Sequence, residues 1–329
     1  MMRRGLRHAV LLLLLVAPWL KADDAPLAIL QQLAKSQKQL NYRGDLIYQS
    51  EAQLQSVHIV HGVTEDGRAV YELMQTLDGP KREIERNGDA VRCLLDGEAI
   101  ELQSHGGFTP FRLISDAQLL ALRDYYSLQR GEPARVAGRD AIEVILQPQD
   151  GYRYGYRLWV ATGAAAMLLK SELRDQQGRL LESLMFTNIT LLESLPEELQ
   201  AQLQRGERDA VVVAEPPPAA MLRWQVANLP PGFHEVVARV DALSQEGGAI
   251  EVEHHLYSDG LSSVSLFVEH NPQPGMPVAS QVQRVGAVSM ATHHYDGYRA
   301  VVVGEVPALT VQQIAASVIA QNNETQAKE

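Results

Sequence analysis

Hydrophobic residues follow two different periods along this chain. The first period is helical and is set by five positions: Leu27, Leu30, Leu33, Ala34 and Leu40. This spacing places an apolar stripe along one face of a helix, and Asp24 and Pro26 suit its N-cap and first turn. After Asn41 apolar and polar residues alternate instead, which is the two-residue period of a β-strand.

Short alternating segments follow, separated by tight-turn dipeptides. The segments are QSVHIVHGV, AVYELMQTL, KREIERNG, AVRCLL and EAIELQS, and the dipeptides are Asp66-Gly67, Asp78-Gly79, Asn87-Gly88 and Asp96-Gly97. Asp-Gly and Asn-Gly supply the positive φ angles that two-residue hairpin loops need. The pattern therefore predicts an antiparallel meander.

A helical interlude, ISDAQLLALRDYYSLQRGE, comes next, with Ser115 or Asp116 as its cap. Strands resume in YSLQRGEPARVAGRDAIEVILQPQ, YRYGYRLWVA and MLLKSELRDQQGRLLESLMFTNITLL. The first domain is therefore predicted as one helix packed on a large, strongly curved antiparallel sheet. Such a sheet has to cover its apolar face or bind something there.

The prolines Pro216–Pro218 mark a boundary between two domains. A short polar helix in LPEELQAQLQ precedes them, and three prolines favour an extended, semi-rigid spacer. From Arg223 a second series of strands follows, with turns at Ser258-Asp259-Gly260 and Asp296-Gly297 and a closing C-terminal helix. The predicted division is a signal peptide (1–22), a large β domain (23–195), a linker (196–222), a small α+β domain (223–323) and a frayed tail (324–329).

The first residues have the pattern of a cleavable secretory signal peptide. Three arginines precede an apolar run from Ala9 to Ala17, which Pro18 ends. A membrane span needs about 20 apolar residues, so export with cleavage after Ala22 is favoured over an uncleaved anchor. The mature chain is therefore predicted to be exported.

Composition indicates a packed, acidic protein. Hydrophobic residues make up 46% of the chain, enough for a core, and the length favours two domains. Loss of the basic residues of the signal peptide takes the formal charge from −11 to −15, which argues against nucleic acid as a partner. The single cysteine, Cys93, cannot form an internal disulfide, and its place in AVRCLL favours a small strand residue over a reactive thiol.

Recognisable catalytic motifs are missing. The sequence contains no G-x-S-x-G, H-E-x-x-H or C-x-x-C motif and no glycine-rich phosphate loop. The pairs His254-His255 and His293-His294 cannot chelate as units, because neighbours on a strand point to opposite faces. Surface histidines are favoured over a metal site, and we expect no catalytic residue, cofactor or metal.

The most charged segment, KREIERNG, also favours scaffold over chemistry. One face of the predicted strand would carry Lys81, Glu83 and Glu85, and the other Arg82, Ile84 and Arg86. Charges of mixed sign suit cross-strand pairing on a solvated sheet, worth about 0.2–1 kcal/mol per pair. A catalytic carboxylate pair would need burial or a partner that shifts its pKa, and nothing in the sequence implies one.

Five motifs follow one another in a fixed order: LMQTLDGPKREIERNGD, GYRYGYRLWV, LPPGFHEV, HLYSDGLSSVSLFVE and YRAVVVGEVP. Behind a signal peptide, this order and spacing resemble the MucB/RseB family, the periplasmic sigma-E factor regulatory proteins of Gram-negative bacteria. The similarity extends over essentially the whole mature chain, and LYSDGL followed by the alternating SVSLFVE is its most specific part.

The resemblance implies a mostly antiparallel α+β fold. The large N-terminal domain would be a half-open β-barrel with helices, similar to periplasmic lipoprotein carriers, and the smaller C-terminal domain would be α+β. The implied function is that of a non-enzymatic negative regulator, which binds the periplasmic segment of a single-pass anti-sigma factor and protects it from site-1 proteolysis. Lipopolysaccharide or lipoprotein acyl chains would displace it. A periplasmic lipid or lipoprotein carrier is the alternative, and homo-oligomerisation is left open.

Apolar side chains are the candidates for both binding surfaces. The lipid-contact candidates are Ile47, Leu73, Leu77, Tyr154, Tyr156, Trp159, Leu168 and Phe186. The partner-binding candidates are Trp224, Tyr257, Leu261 and Phe267, because such anchors dominate interface energies. Plain core packing is the alternative for each of them. A buried, convergent cluster of titratable side chains would count against a purely non-enzymatic role.

Overall fold

The structure is a computed structural model. It describes residues 25–51, 53–63, 70–87, 90–95, 98–102, 116–163, 165–195, 200, 222–245, 248–270, 281–295 and 297–321. Several predicted features lie wholly or partly outside these residues: the signal peptide, the caps at Asp24 and Ser115, the turns at Asp66-Gly67, Asn87-Gly88, Asp96-Gly97 and Asp296-Gly297, the short polar helix, the linker prolines and the frayed tail.

The helices in the described ranges are short. They are α1 (Ala25–Gln37), α2 (Asp116–Ala121), which a 3-10 turn (Leu122–Asp124) continues, and α3 (Ala308–Ala316). α1 confirms the helix predicted from the leucine spacing. The predicted C-terminal helix ends earlier than expected, because Val318–Ala320 forms a strand instead. β-branched Val318 and Ile319 suit a strand, and these residues pair with the segment at Trp224.

The N-terminal domain contains one large antiparallel sheet. Its strands are β1 (Asn41–Ser50), β2 (Leu54–Val63), β3 (Val70–Thr76), β4 (Arg82–Asn87), β5 (Ala90–Leu95), β6 (Glu98–Leu102), β7 (Tyr126–Val136), β8 (Arg139–Pro148), β9 (Gly155–Ala161), β10 (Leu168–Arg174) and β11 (Leu180–Leu192). The order is β6-β5-β4-β3-β2-β1-β11-β10-β9-β8-β7. The two edge strands of the described sheet, β6 and β7, do not pair with each other. The barrel is therefore half open, as predicted.

The C-terminal domain has its own sheet. Its strands are β12 (Trp224–Val226), β13 (His234–Gln245), β14 (Gly248–Ser258), β15 (Ser263–His270), β16 (Gln281–Val285), β17 (Val288–Tyr295), β18 (Tyr298–Gly304) and β19 (Val318–Ala320). Six of them form an antiparallel sheet in the order β13-β14-β15-β18-β17-β16, and β12 pairs with β19. The predicted α+β domain is therefore confirmed.

Curvature in the large sheet has a local cause where β1 pairs with β11. The register shifts between Asp45 and Leu46, so that Thr187 of β11 has no opposite residue on β1, and such a bulge bends the strand that carries the extra residue and increases its twist. A Cβ atom on neighbouring Gly44 would lie 2.5 Å from the backbone oxygen of Asn188. The two backbones can therefore approach this closely only because residue 44 has no side chain.

Two apolar clusters fill the N-terminal domain and lie on opposite faces of β8 and β9. We call the first the helix-covered cluster; it consists of Leu27, Leu30, Leu33, Ala34, Leu119, Leu122, Tyr126, Val144, Leu146, Tyr154, Tyr156, Leu158, Val160, Ala166, Leu173, Leu181 and Ala287. We call the second the opposite-face cluster; it consists of Tyr42, Leu46, Val57, Ile59, Met74, Val136, Ala141, Ala161, Met167, Leu169, Leu184, Phe186 and Ile189. The sheet therefore has an apolar core on both sides.

The charged segment forms β4, as predicted, but part of it is buried. Arg86 lies directly opposite Glu72 on β3, and 3.5 Å separate Nη1 of Arg86 from Oε2 of Glu72, with both side chains mostly buried. Cross-strand charge pairing is thus confirmed for Arg86, whereas the predicted solvated face is wrong for this residue. The C-terminal end of α1 covers Arg86 and Glu72, since Nε2 of His61, the neighbour of Glu72 on β2, lies 3.0 Å from the backbone oxygen of Gln37.

Candidate binding surfaces and the domain boundary

The lipid-contact candidates do not form one surface. Three of them, Tyr154, Tyr156 and Leu168, belong to or pack against the helix-covered cluster. Phe186 and Trp159 belong to or pack against the opposite-face cluster. The others are separate: Leu73 packs with Tyr71 and Leu195, Ile47 is half-buried on β1, and Leu77 is 58% exposed just after β3.

The partner-binding candidates have four different environments. Tyr257 is buried in the core of the C-terminal domain. Trp224 is half-buried and contacts the rings of Tyr295 and Tyr298. Phe267 is half-buried and stacks on His254, with 4.3 Å between ring centroids. Leu261 packs against the helix-covered cluster of the other domain. The structure therefore offers Phe267 and Trp224 as half-exposed aromatic side chains.

A buried arginine joins the two domains. Arg153 lies in the loop between β8 and β9, and its side chain is 0% exposed. Its Nη1 is 3.3 Å from Oδ2 of Asp259, which is also 0% exposed, and its Nε is 3.3 Å from Oδ1 of Asp150 in its own domain. Its Nη2 donates a hydrogen bond to the carbonyl oxygen of Pro231. The guanidinium therefore contacts both domains at once.

Aromatic rings enclose the same guanidinium. Its central carbon lies 4.7 Å from the ring centroid of Tyr125, 5.7 Å from that of Tyr126 and 5.3 Å from that of Phe233. The hydroxyl of Tyr126 donates to Oδ2 of Asp259 across 3.4 Å. Burial raises the pKa of Asp259, against the opposing effects of the Ser262 N–H and Arg153. We call six of these residues the Arg153 cluster: Tyr125, Tyr126, Arg153, Pro231, Phe233 and Asp259.

Other contacts continue the boundary on either side of this cluster. The hydroxyl of Thr310, at the start of α3, donates to the carbonyl oxygen of Tyr152 across 2.6 Å. Gly232 packs directly against the ring of Tyr125. Ala287, in the turn between β16 and β17, belongs to the helix-covered cluster. The apolar interior of the N-terminal domain is therefore continuous with the C-terminal domain.

Two carboxylates, Glu305 and Glu182, also repel each other electrostatically across the boundary. Glu305 lies between β18 and α3, and Glu182 lies on β11, where Tyr48 donates a hydrogen bond to it. Burial raises the pKa of Glu182. Glu305 keeps exposed surface, yet partial burial of its carboxyl and repulsion from Glu182 raise its pKa to about 7. The stability of the boundary should therefore depend on whether Glu305 is protonated.

We expect the stability contribution of Glu305 to depend on pH. Its folded pKa is above its unfolded value, so this contribution is present below about pH 4.5 and is lost as the pH rises to about 7. Because solvent screens the exposed side chain, we expect a change of about 1 kcal/mol in unfolding free energy. Urea unfolding of the protein and of Glu305→Gln at pH 4.5 and pH 8 measures it. An equal difference between the two proteins at both pH values would contradict this assignment.

A buried histidine, His255, is linked through Glu253 to the start of β12, the first strand of the C-terminal domain. His255 is 1% exposed, with Nδ1 2.7 Å from Oε1 of Glu235 and Nε2 2.8 Å from Oε1 of Glu253. Glu253 in turn accepts the backbone N–H groups of Arg223 and Trp224 at 2.9 Å. Burial alone would lower the pKa of His255, but the hydrogen bonds with Glu253 and Glu235 outweigh it and raise the pKa. Both ring nitrogens can donate to carboxylates only when the imidazole is protonated.

Protonated His255 should therefore stabilise the fold below neutral pH. Its folded pKa is above the unfolded value of about 6.5, so the contribution is complete below that pH and is lost as the pH rises through the folded pKa. We expect His255→Gln to lower the unfolding free energy by about 2 kcal/mol at pH 6 and by clearly less at pH 9. Chemical unfolding at both pH values checks this, and a loss that is greater at pH 9 would refute it.

These buried clusters were not predicted. The expectation that His254 and His255 are surface residues is wrong, because both side chains are buried on opposite faces of β14. The clusters around Arg153, His255 and Glu72 are buried and titratable, which is the kind of feature that would count against a purely binding role. Each is nevertheless tied to structural partners. The motifs GYRYGYRLWV and HLYSDGL contained Arg153 and Asp259, but no local signal indicated that the two residues meet.

Neither a metal-binding group of side chains nor a membrane-spanning helix occurs in the described residues. No group of three or more His, Cys, Asp or Glu side chains there is arranged to hold a metal ion. None of the helices in the described ranges is long and apolar enough to cross a membrane.

Family comparisons match both domains. The MucB/RseB N-terminal domain family matches residues 25–205, and the MucB/RseB C-terminal domain family matches residues 218–319. The chain belongs to the MucB/RseB family. The resemblance inferred from the five sequence motifs is therefore confirmed.

Similar MucB/RseB proteins cover nearly the whole chain. The sigma factor AlgU regulatory protein MucB of Pseudomonas aeruginosa is 32% identical over 310 residues, which is 93% of this chain and 94% of that protein. The sigma-E factor regulatory protein RseB of Escherichia coli K12 is 25% identical, over 90% of this chain and 91% of that protein. These relatives are named as sigma factor regulatory proteins.

Solved MucB structures have the same fold. A P. aeruginosa MucA/MucB complex has a chain with a TM-score of 0.71 and 28% identity, covering 90% of this chain and 99% of that chain. A crystal structure of MucB in complex with MucA(peri) gives a TM-score of 0.67, 27% identity and coverages of 92% and 99%. Members of this family are therefore known in complex with MucA.

Proposed function

We propose that this protein is a periplasmic negative regulator of an envelope-stress sigma factor. It binds the periplasmic segment of a single-pass membrane anti-sigma factor and protects that segment from site-1 proteolysis. Lipopolysaccharide or lipoprotein acyl chains act as the signal that releases it. Transcription of the stress response then follows proteolysis of the anti-sigma factor.

One observation carries this proposal. The relationship to MucB extends over both domains, and the chain in the MucB–MucA(peri) complex aligns with 92% of this one. The relative's partner thus binds a molecule with the same two-domain arrangement. A cleavable signal peptide, expected from residues 1–22, supports a periplasmic location.

The apolar interior of the N-terminal domain supports the lipid part of the proposal. A curved sheet covered by α1 and α2 offers an apolar site without any catalytic group. Of the lipid-contact candidates, those at the helix-covered cluster are favoured: Tyr154, Tyr156 and Leu168. They lie beneath helices that an entering chain could displace, whereas Phe186 and Trp159 lie on the other face of the sheet.

We further propose that the protein acts by binding, without catalysis, cofactor or resident metal. The family is named for regulation, and the buried titratable clusters have structural partners on the chain itself. The acidic charge of the sequence argues against nucleic acid as a direct partner. Self-association into a homo-oligomer is compatible with this role and is not required by it.

A binding and protection assay tests the proposed function. The mature protein is mixed with the periplasmic segment of the anti-sigma factor from the same organism, and cleavage by the site-1 protease is followed over time. We expect a stable complex and slowed cleavage, and we expect acyl-bearing lipopolysaccharide to reverse both. An unchanged cleavage rate at saturating protein would overturn the regulatory function.

A matched pair of variants tests the partner surface. Phe267 and Val288 both lie on the six-stranded sheet, but Phe267 is a half-buried aromatic ring and Val288 is an exposed residue near the edge. Because aromatic anchors at interfaces contribute about 2 kcal/mol or more, Phe267→Ala should weaken binding of the segment at least tenfold. Val288→Ala should leave it within twofold. Equal affinities would remove Phe267 from the interface.

A lipid or lipoprotein carrier is the second candidate function. The half-open barrel would serve such a carrier equally well. The presence of the C-terminal domain favours regulation, because carriers of this type generally need only one domain. Transfer of a labelled lipid between vesicles by the purified protein, without any effect on anti-sigma cleavage, would favour the carrier.

We retain the predicted domain boundaries as a proposal: residues 23–195 and 223–323, joined by the linker 196–222. The C-terminal core supports it, since all its buried members come from Phe233 onwards. A fragment that begins at Arg223 should therefore unfold in one cooperative thermal transition. A broad, uncooperative melt of the fragment would show that the boundary is misplaced.

A further inference from the structure

The Arg153 cluster links the helical cover of the N-terminal domain to the C-terminal domain. Arg153 itself belongs to the β8–β9 loop, whereas Asp259, Phe233 and the carbonyl of Pro231 belong to the C-terminal domain. Arg153 has no exposed surface. Any change in the relative position of the domains must therefore break the contacts of this guanidinium or carry it along.

The remaining partners of Arg153 continue directly from α2. The 3-10 turn that follows α2 ends at Asp124, and Tyr125 and Tyr126 come next. The N–H of Tyr125 donates to the carbonyl oxygen of Leu122 at 3.0 Å, and its carbonyl accepts the N–H of Gln149 at 2.9 Å. The two tyrosine rings are therefore held to the turn and to the end of β8.

The inner side of the same helical segment covers apolar interior. Leu119 of α2 and Leu122 of the turn are both buried in the helix-covered cluster. Leu122 also approaches the C-terminal domain, since a Cβ atom on Gly260 would lie 4.0 Å from its Cδ2 atom. An acyl chain that enters beneath α2 has to displace Leu119 and Leu122, and this displacement moves Tyr125 and Tyr126.

A buried ion pair responds to such a movement in an all-or-none way. Its attraction offsets the cost of desolvation only while the geometry is kept, and packed interfaces switch between discrete arrangements instead of deforming continuously. Across the boundary, Nη1 of Arg153 lies 3.3 Å from Oδ2 of Asp259 without meeting hydrogen-bond geometry. A small displacement of the residues around Arg153 is therefore enough to break its contact with Asp259.

We propose that the Arg153 cluster is the coupling element of the molecule: an acyl chain that lifts α2 breaks the Arg153–Asp259 contact and frees the C-terminal domain from its present position. This inference rests on the lipid-response part of the proposed function and adds the residues that carry it. Release of the partner then follows by linkage, because the acyl chain and the anti-sigma segment favour different positions of the two domains.

Distances between the two domains test the coupling without any partner protein. Spin labels are placed at exposed Gln129 on β7 and exposed Gln312 on α3, in a chain whose native cysteine is removed by Cys93→Ser. Double electron–electron resonance is recorded with and without myristate below its micellar concentration. The test variants are Arg153→Met and Tyr125→Leu, and the control is Asp150→Asn, which weakens a pair of Arg153 within one domain.

Without myristate, we expect a narrow distance distribution for both the labelled parent and Asp150→Asn. In both proteins the width of this distribution should increase at least twofold when myristate is added. Arg153→Met and Tyr125→Leu should give the broad distribution without myristate. If Arg153→Met does not fold, Tyr125→Leu decides, because it keeps the ion pair with Asp259. A narrow distribution in the variants that fold, or an unchanged parent distribution at saturating myristate, would overturn the coupling.

Failure of this inference can be distinguished from failure of the proposed function. If the distance distributions of the variants stay narrow while the protein still protects the anti-sigma segment from proteolysis, the coupling is wrong and the regulatory function stands. If the distances change as expected while the segment is neither bound nor protected, the coupling stands and the regulatory function fails.

Discussion

Replacement of Arg153 by methionine should destabilise the protein by about 3–5 kcal/mol. The substitution leaves the carboxylate of Asp259, which has no exposed side-chain surface, without its cation. It also removes the donor to the carbonyl of Pro231 and the cation that three aromatic rings enclose. A buried charge without a partner costs far more than the net stabilisation of the original pair.

Asp150→Asn is the matched control for this prediction. Asp150 contacts the same arginine at the same 3.3 Å, but its side chain is 24% exposed and lies in the same domain as Arg153. Solvent therefore screens the interaction between Asp150 and Arg153, and we expect Asp150→Asn to lower the unfolding free energy by about 1 kcal/mol or less. Urea unfolding at pH 8, followed by the fluorescence of Trp159 and Trp224, measures both variants.

The pH adds a second check on Arg153→Met. Burial already raises the pKa of Asp259, and removal of the guanidinium should raise it further, so that the carboxyl takes up a proton more readily as the pH falls. The loss of stability should therefore be smaller at pH 5 than at pH 8. A cost for Arg153→Met no larger than that for Asp150→Asn would show that the contact with Asp259 does not stabilise the boundary.

Gly232→Ala should cost about 3 kcal/mol of unfolding free energy. Gly232 has a φ of +83°, which is unfavourable for alanine by about 1–2 kcal/mol. In addition, its new Cβ would lie 2.6 Å from Cε2 of Tyr125. That ring lies against the guanidinium of Arg153 at 4.7 Å, so it cannot move away freely, and overpacking adds about 1–3 kcal/mol.

Gly138→Ala separates the two costs. Gly138, in the turn between β7 and β8, has a similar φ of +74°, and a Cβ there would meet nothing within 4 Å. Gly138→Ala should lower the unfolding free energy only by the cost of placing alanine at a positive φ, about 1 kcal/mol. The difference between the two variants in the same unfolding assay isolates the contact across the boundary. Equal losses would mean that Tyr125 yields to the new methyl group.

Local patterns were sufficient for most secondary structure and failed where distant residues meet. The leucine spacing located α1, and Asp78-Gly79 marked a turn where Gly79 has a φ of +69°. The predicted C-terminal helix forms but ends at Ala316, because pairing with β12 competes for Val318–Ala320 and that partner lies far away in the sequence. The local sequence favours a surface position for His255, because nothing in it indicates that Glu235 and Glu253 converge on this residue.

The sequence by itself determined the strand periods, the turns at Gly79 and Gly260, the two β-rich domains and the family, since each depends on local spacing or on motifs in order. Only the tertiary structure decided which apolar residues share a face and which charges are buried. Alternation shows that neighbours differ in face but does not show which face is covered. The contact of Arg153 with Asp259 joins residues more than a hundred positions apart, so only the packing of one domain on the other could bring them together.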